Sequence, residues 1–127
     1  MYGLSNLVYK EEVFNFIACC FEVHKNLGRG FLETVYKDAL SYELQQRNIS
    51  FEKEKKFAIK YKNVTLLHYY ISDFIAFDKI IVEIKAQESI ADNHYKQLIN
   101  YLAVSKLKLG LLVNFGEDSL KFKRVIL

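Results

Sequence analysis

Asp73, Glu83 and Lys85 are spaced so that two carboxylates and an ammonium can come within reach of one point. They lie in ISDFIAFDKIIVEIKA, residues 71–86, which holds two apolar runs each broken by charge. Ile80, Ile81 and Val82 lead into Glu83, Ile84 and Lys85, a short apolar run that reads as a buried strand. Ile71, Phe74, Ile75, Ala76 and Phe77 surround Asp73 in the same way, and Asp78-Lys79 between the runs signals a turn, so the pair reads as a hairpin. Side chains alternate across a strand, which puts Glu83 and Lys85 on one face and Val82 and Ile84 on the other. Charges on a buried strand are costly unless paired or metal-bound. A salt bridge on a half-solvated sheet face is the plainer reading of the same three residues.

The hairpin restricts the geometry. A two-residue turn at Asp78-Lys79 places Asp73 opposite Ile84 and sends Glu83 to the other face. A shared site therefore requires an odd loop such as Phe77-Asp78-Lys79, or a bulge that shifts the register by one. Two crowded carboxylates also repel, so losing either one is expected to leave the metal-free protein unchanged or more stable.

The elements that must position these residues follow from the rest of the chain. At 127 residues it reads as one domain, residues 1–127, with half its residues hydrophobic and nine Tyr and ten Phe, which excludes a disordered chain. A net charge of +3 is only weak evidence for an anionic partner. Cys19 and Cys20 are adjacent and read as reduced core residues, which with no apparent signal peptide or membrane span implies a cytoplasmic protein away from membranes. Ser5 or Asn6 can cap a first helix running to about Asn26, with Phe14, Ile17, Ala18, Phe21 and Leu27 on its buried face, ended by Gly28-Arg29-Gly30. A second helix spans about Phe31 to Gln46 and carries Leu32, Val35, Tyr36, Ala39, Leu40 and Leu44 inward.

Strands are expected over Phe51–Tyr61, about Thr65–Phe77, Lys79–Ala86, Leu109–Phe115 and Leu120–Ile126. A third helix runs from about Ile90 to Ser105 behind an S-x-x-D cap at Ser89, with Tyr95, Leu98, Ile99 and Leu102 on the core. The order α-α-β-β-β-α-β-β is an α/β (α+β) arrangement, a mixed β-sheet flanked by helices.

The pattern D-x9-E-x-K on a hairpin, within this order, resembles the PD-(D/E)XK nuclease superfamily with its restriction-endonuclease-like fold. Gly30, Glu33 and Tyr36 fit G-x-x-E-x-x-Y, and the chain is similar to the GxxExxY family of that superfamily. The likeness continues through E-V-H at Glu22 to His24, L-G-x-G at Leu27 to Gly30, V-E-I-K at Val82 to Lys85, H-x-x-Q-x-x-x-Y at His94 to Tyr101 and L-G-L-L-V-N-F-G at Leu109 to Gly116. Arg29 stands where the family often has Pro, and Ile71 where it often has Arg.

The resemblance implies a Mg²⁺- or Mn²⁺-dependent nuclease acting on nucleic acid, with DNA the expected substrate. Asp73, Glu83 and the backbone carbonyl of Ile84 would hold the ion. Glu33 would bind it directly, through water, or through a second ion, Lys85 would act on the attacking water or the phosphate, and Gln97 and Tyr101 would position the lysine or the scissile phosphate. Each residue also has a plain reading: Glu33 suits a helix N-terminus, and Gln97 and Tyr101 form a polar stripe on a helix face. His24 reads as a core histidine, with a metal contact as the alternative. Two other functions stay open: a catalytically inactive nucleic-acid-binding or protein-interaction module on the nuclease fold, and a structural domain in which the three charges form only an ion network. No recognition helix or basic stripe is evident, and nothing in the sequence decides whether the chain forms a homo-oligomer.

Overall fold

The computed structural model describes residues 7–127, and the expected caps Ser5 and Asn6 lie outside them. The elements in chain order are α1 (Lys10–Leu27), α2 (Glu33–Gln46), β1 (Phe51–Lys53), β2 (Lys56–Tyr61), β3 (Val64–Ile71), β4 (Phe74–Ala76), β5 (Ile80–Lys85), α3 (Asp92–Ser105), β6 (Leu109–Asn114) and β7 (Lys121–Ile126). The fold is the expected α+β arrangement, with the strand series subdivided.

Five strands form the main sheet in the order β1-β4-β5-β6-β7, and β2 pairs with β3 in a separate two-stranded ribbon. β5 and β6 run parallel, connected through α3, and the other neighbours are antiparallel. β5 and β6 are the buried centre, every residue of both being buried except Lys85. Ile80, Val82 and Ile84 join Leu109, Leu111 and Val113 on the face covered by α1 and α2. Ile81, Ile75 and Leu112 face the other way, against Leu98 and Leu102 of α3 and Tyr70 of β3. Full burial of each such aliphatic side chain contributes about 1.5–3 kcal/mol, enough for this strand to carry a charge. On the α3 face Gly110 leaves room for Leu98, whose Cδ1 would lie 2.9 Å from a Cβ at that position.

Two expected strands differ from the observed ones. Phe51–Tyr61 is not one strand but β1 and β2, and Thr65–Phe77 is β3 and β4. Both breaks occur at the same level: Glu54 takes φ 55°, its N–H donates to the Asp73 carbonyl at 3.1 Å, and Ser72 N–H donates to the Lys55 carbonyl at 2.9 Å. The hairpin thus leaves one sheet and continues as the other, with its backbone groups satisfied through the corner.

The α1 face also differs. Phe14 and Phe21 are 72% and 50% exposed, whereas Val13, Phe16, Ile17, Cys19, Cys20, Val23 and His24 are buried. On α2, Tyr36, Leu40 and Leu44 are buried while Leu32 is exposed, and on α3 Ile99 is exposed. Both cysteines are free thiols in the core. Among the described residues no helix is long and apolar enough to cross a membrane.

Candidate active site

The register of the β4–β5 hairpin brings the acidic residues together. Ala76 pairs with Ile80, Ile75 with Ile81 and Phe74 with Val82. The loop is therefore Phe77-Asp78-Lys79, three residues, with Phe77 and Asp78 at φ 57° and 60° and Lys79 N–H closing onto the Ala76 carbonyl. Continued by one residue, this register sets Asp73 opposite Glu83. Asp73 shares the α3-side parity of Ile75, and Glu83 that of Ile81, so both carboxylates and Lys85 belong to one face.

Each carboxylate is held in place. Asp73 Oδ2 accepts the Ile84 N–H at 2.7 Å, and Asp73 Oδ1 accepts from Lys37 Nζ at 3.0 Å. Glu83, 9% exposed, accepts a short hydrogen bond from the Tyr70 hydroxyl, and Asp73 N–H lies 3.4 Å from the same Glu83 oxygen. Burial, with the Asp73 charge second, pushes the Glu83 carboxyl up to about 7, against the opposing hydrogen bond from Tyr70. Burial, followed by the charge and hydrogen bond of Glu83, pushes the Tyr70 phenol far above its ordinary range. Tyr70 stacks between Phe57 and Tyr101, with ring centroids 5.7 and 3.6 Å away. Burial and then the charges of Glu83 and Asp73 raise the Tyr101 phenol too.

Lys37 is the functional candidate that the sequence reading missed. Burial disfavours its ammonium, but the hydrogen bond and charge of Asp73 outweigh burial and lift it above the ordinary lysine range. It stands on α2 four residues after Glu33, and the turn before that helix is fixed by Tyr36. The buried Tyr36 hydroxyl donates to the Gly28 carbonyl at 2.6 Å, accepts the Phe31 N–H at 3.2 Å, and its ring stacks on Phe115 at 4.7 Å. The Tyr of G-x-x-E-x-x-Y is thus a clamp on Gly28 and Phe31 that sets where α2 begins. The motif has no lysine in it, so spacing alone could not single out Lys37.

The remaining candidates lie at varying distance from the pair. Glu33 opens α2, four residues before Lys37, and its charge adds to the rise of the Lys37 ammonium. Among the described residues no group of three or more His, Cys, Asp or Glu side chains is gathered as a metal cage. Gln97 is exposed on α3, one turn from Tyr101. His94 Nδ1 accepts the Ala91 N–H at 3.2 Å at the start of that helix. His24 is a buried residue whose Nε2–H meets the Glu117 carbonyl at 2.9 Å. The exit of β5 is held by Asn114, whose amide bonds both the N–H and the carbonyl of Gln87 at 3.0 and 2.8 Å, and Phe115 N–H donates to the Lys85 carbonyl at 2.8 Å.

The donor set suits a hard divalent cation. Asp73 and Glu83 are oxygen donors facing each other in a dry site where Glu83 resists ionising, which a nearby positive charge would relieve. A Mg²⁺ ion needs only one or two protein carboxylates, since it keeps several waters. A concavity of about 960 Å³ along α1 and β7, with Phe14, Phe21 and Phe122 in its wall, shares no residue with this site.

A sequence profile of the PD-(D/E)XK nuclease superfamily matches residues 10–125. No curated protein matches the chain. Among solved structures, the crystal structure of SSO0001 is similar, with a TM-score of 0.58 and 19% identity over 93% of this chain and 57% of that one. This chain thus spans little more than half of that protein, and at this identity the likeness concerns the fold. With nearly its whole described length matched, the chain belongs to the PD-(D/E)XK nuclease superfamily.

Proposed function

We propose that this chain is a metal-dependent phosphodiesterase that hydrolyses nucleic acid, DNA being the expected substrate, and that it stands with the GxxExxY group of its superfamily. The observation that carries the reading is the register that sets Asp73 opposite Glu83, on the face of β5 that also bears Lys85.

Asp73, Glu83 and the Ile84 carbonyl would hold Mg²⁺ or Mn²⁺, and the bound ion supplies Lewis-acid polarisation of a phosphoryl oxygen and a more acidic water. The protein's own residues supply the rest. Lys85 orients the attacking water or donates to a non-bridging phosphate oxygen, where its charge is worth most in the transition state. The water oxygen bonds to phosphorus and gives up a proton to bulk solvent, the P–O bond to the leaving sugar breaks, and the leaving oxygen takes up a proton from solvent. Tyr70 fixes the Glu83 carboxylate, Tyr101 packs on Tyr70, and Gln97 reaches for the substrate from the same helix face. Glu33, at the start of α2, acts at one remove, through water or through Lys37.

The internal satisfaction of both carboxylates, by Lys37, Ile84 N–H and Tyr70, favours a second reading: a nucleic-acid-binding module on the nuclease fold without turnover. Incubation with Mg²⁺ or Mn²⁺ and single- or double-stranded DNA and RNA, beside Lys85→Ala, separates the two. Cleavage by the parent that is lost in the variant supports the enzyme. Binding without cleavage under every condition supports the module.

A further inference from the structure

The ribbon β2–β3 leaves the main sheet two residues before Asp73 and carries charge of one sign only. From Lys55 to Ser72 there are four lysines, at 55, 56, 60 and 62, and no Asp or Glu. Lys55 is neutralised locally by Glu52, 3.4 Å away. Lys56, Lys60 and Lys62 are exposed and enter no ion pair among the described residues. Lys56 lies over the Tyr69 ring at 4.2 Å and Lys62 over Tyr61 at 5.4 Å, contacts that orient an ammonium without cancelling its charge.

Alternation along β2 sorts the ribbon into two faces. Phe57 and Ile59 are half-buried, Phe57 stacking on Tyr70, while Lys56, Ala58 and Lys60 point the other way. Tyr69 and Ile71 share that outer face, through the pairs Ala58–Tyr69 and Lys56–Ile71. Every residue of β3 except Tyr70 is exposed, so the ribbon offers an open surface rather than a core layer. At about 3.4 Å per residue, Lys60 lies roughly 13 Å along the strand from Lys56. A two-stranded ribbon is also one of the two elements that fit a duplex major groove, about 12 Å wide.

We propose that this ribbon is the arm that holds a nucleic-acid duplex against the Asp73–Glu83 site, with Lys56, Lys60 and Lys62 on backbone phosphates. The inference rests on the nucleic-acid reading above and adds the surface that seats the polymer. Charge selects the occupant: three free ammonium groups with no acidic neighbour on the ribbon complement a polyphosphate. Since Ile71, paired with Lys56, precedes Asp73 by two residues, a backbone lying along the arm arrives at the acidic pair.

The test is binding of a 20-base-pair fluorescent DNA duplex, without metal and across a salt series, to the full chain and to the variant Lys56→Gln, Lys60→Gln, Lys62→Gln. Each lost phosphate contact removes about 0.9 from the slope of log K against log salt. The triple variant is expected to bind at least tenfold more weakly at about 0.1 M salt, with a slope shallower by about 2.7. Its melting temperature and its Mn²⁺ affinity should match the parent's, because these side chains are exposed and none of them bonds to either carboxylate. Equal affinity and equal slope in the two proteins would overturn the arm, as would a parent that binds only single strands. Adding Mn²⁺ to the same samples keeps the two readings apart. Arm-dependent binding without cleavage removes the nuclease and leaves the arm, and cleavage equal in both proteins does the reverse.

Discussion

Lys37 Nζ lies 3.0 Å from Asp73 Oδ1, so an ammonium from α2 sits on the carboxylate that the sequence marks as a metal ligand. Both side chains are largely buried, at 17% and 20% exposure, so this pair is less screened than a surface one. A divalent cation at Asp73 meets Lys37 as a competitor. Lys37→Met is expected to bind Mn²⁺ several-fold more tightly by calorimetry, while its metal-free form loses about 1–2 kcal/mol, chiefly from leaving Asp73 unpaired. Weaker Mn²⁺ binding in the variant would mean that Lys37 orients Asp73 for the ion instead.

The two carboxylates should respond differently to removal. Both Asp73→Ala and Glu83→Ala are expected to abolish Mn²⁺ binding. Without metal, Asp73→Ala strands the Lys37 ammonium and the Ile84 N–H, and should destabilise by about 1–3 kcal/mol. Simple charge repulsion implies no loss for either residue; the partners of Asp73 reverse that expectation for it. Glu83→Gln keeps an acceptor for Tyr70 and removes the repelling charge, so its metal-free form should be at least as stable as the parent at pH 8. Chemical denaturation of the three proteins decides the matter.

Glu83 also sets a pH dependence. Its folded carboxyl titrates near 7 against an ordinary 4.5. Below pH 4.5 both folded and unfolded chains carry the proton and no stability is lost. Between 4.5 and about 7 the unfolded chain releases it while the fold retains it, so stability falls as pH rises. The fall totals on the order of 3 kcal/mol and is complete just above pH 7. Denaturant midpoints of the metal-free protein at pH 5, 6, 7 and 8 should trace this decline, and Glu83→Gln should flatten it. Parallel curves for the two proteins would place Glu83 in a wetter setting.

On α3 the two stripe residues are expected to separate. Gln97 is exposed, so Gln97→Ala should change stability by less than about 0.5 kcal/mol. A drop in turnover without a drop in melting temperature would then report contact with substrate. Tyr101→Ala removes the ring stacked on Tyr70 and should lower both.

Of the described glycines, Gly116 leaves the least room for a side chain. A Cβ there would fall within the backbone of Ala86 and Gln87, the segment that Asn114 clamps just after Lys85. Gly116→Ala should cost on the order of 3 kcal/mol or more, read from its denaturation midpoint. Full stability would show that the β5 exit can shift.

Much of the site was legible because it is local. The run Ile80–Lys85 is apolar enough to mark a buried strand, and the facing requirement on Asp73 and Glu83 demanded an odd loop, the form the hairpin takes. The α1 face was harder to read. Val13, Phe14, Phe16, Ile17, Cys19, Cys20, Phe21 and Val23 spread over more than half of the helix circumference, so periodicity does not fix the centre of the buried side. The strand breaks at Glu54 and Ser72-Asp73 carry no Gly or Pro, and their cause is a tertiary corner. Lys37 meets Asp73 across 36 residues, a contact without any local signature.

The corner at Glu54 and Asp73 has a kinetic consequence. Beyond it the ribbon is only two strands, and such a unit opens more cheaply than a five-stranded sheet. Amide hydrogens of β2 and β3 should therefore exchange before those of β5 and β6. Each such opening would also withdraw Tyr70 from Glu83, so the acidic pair loses a hydrogen-bond donor whenever the ribbon frays. A polymer lying along the ribbon would suppress that fraying, and the site would be most ordered while it is occupied.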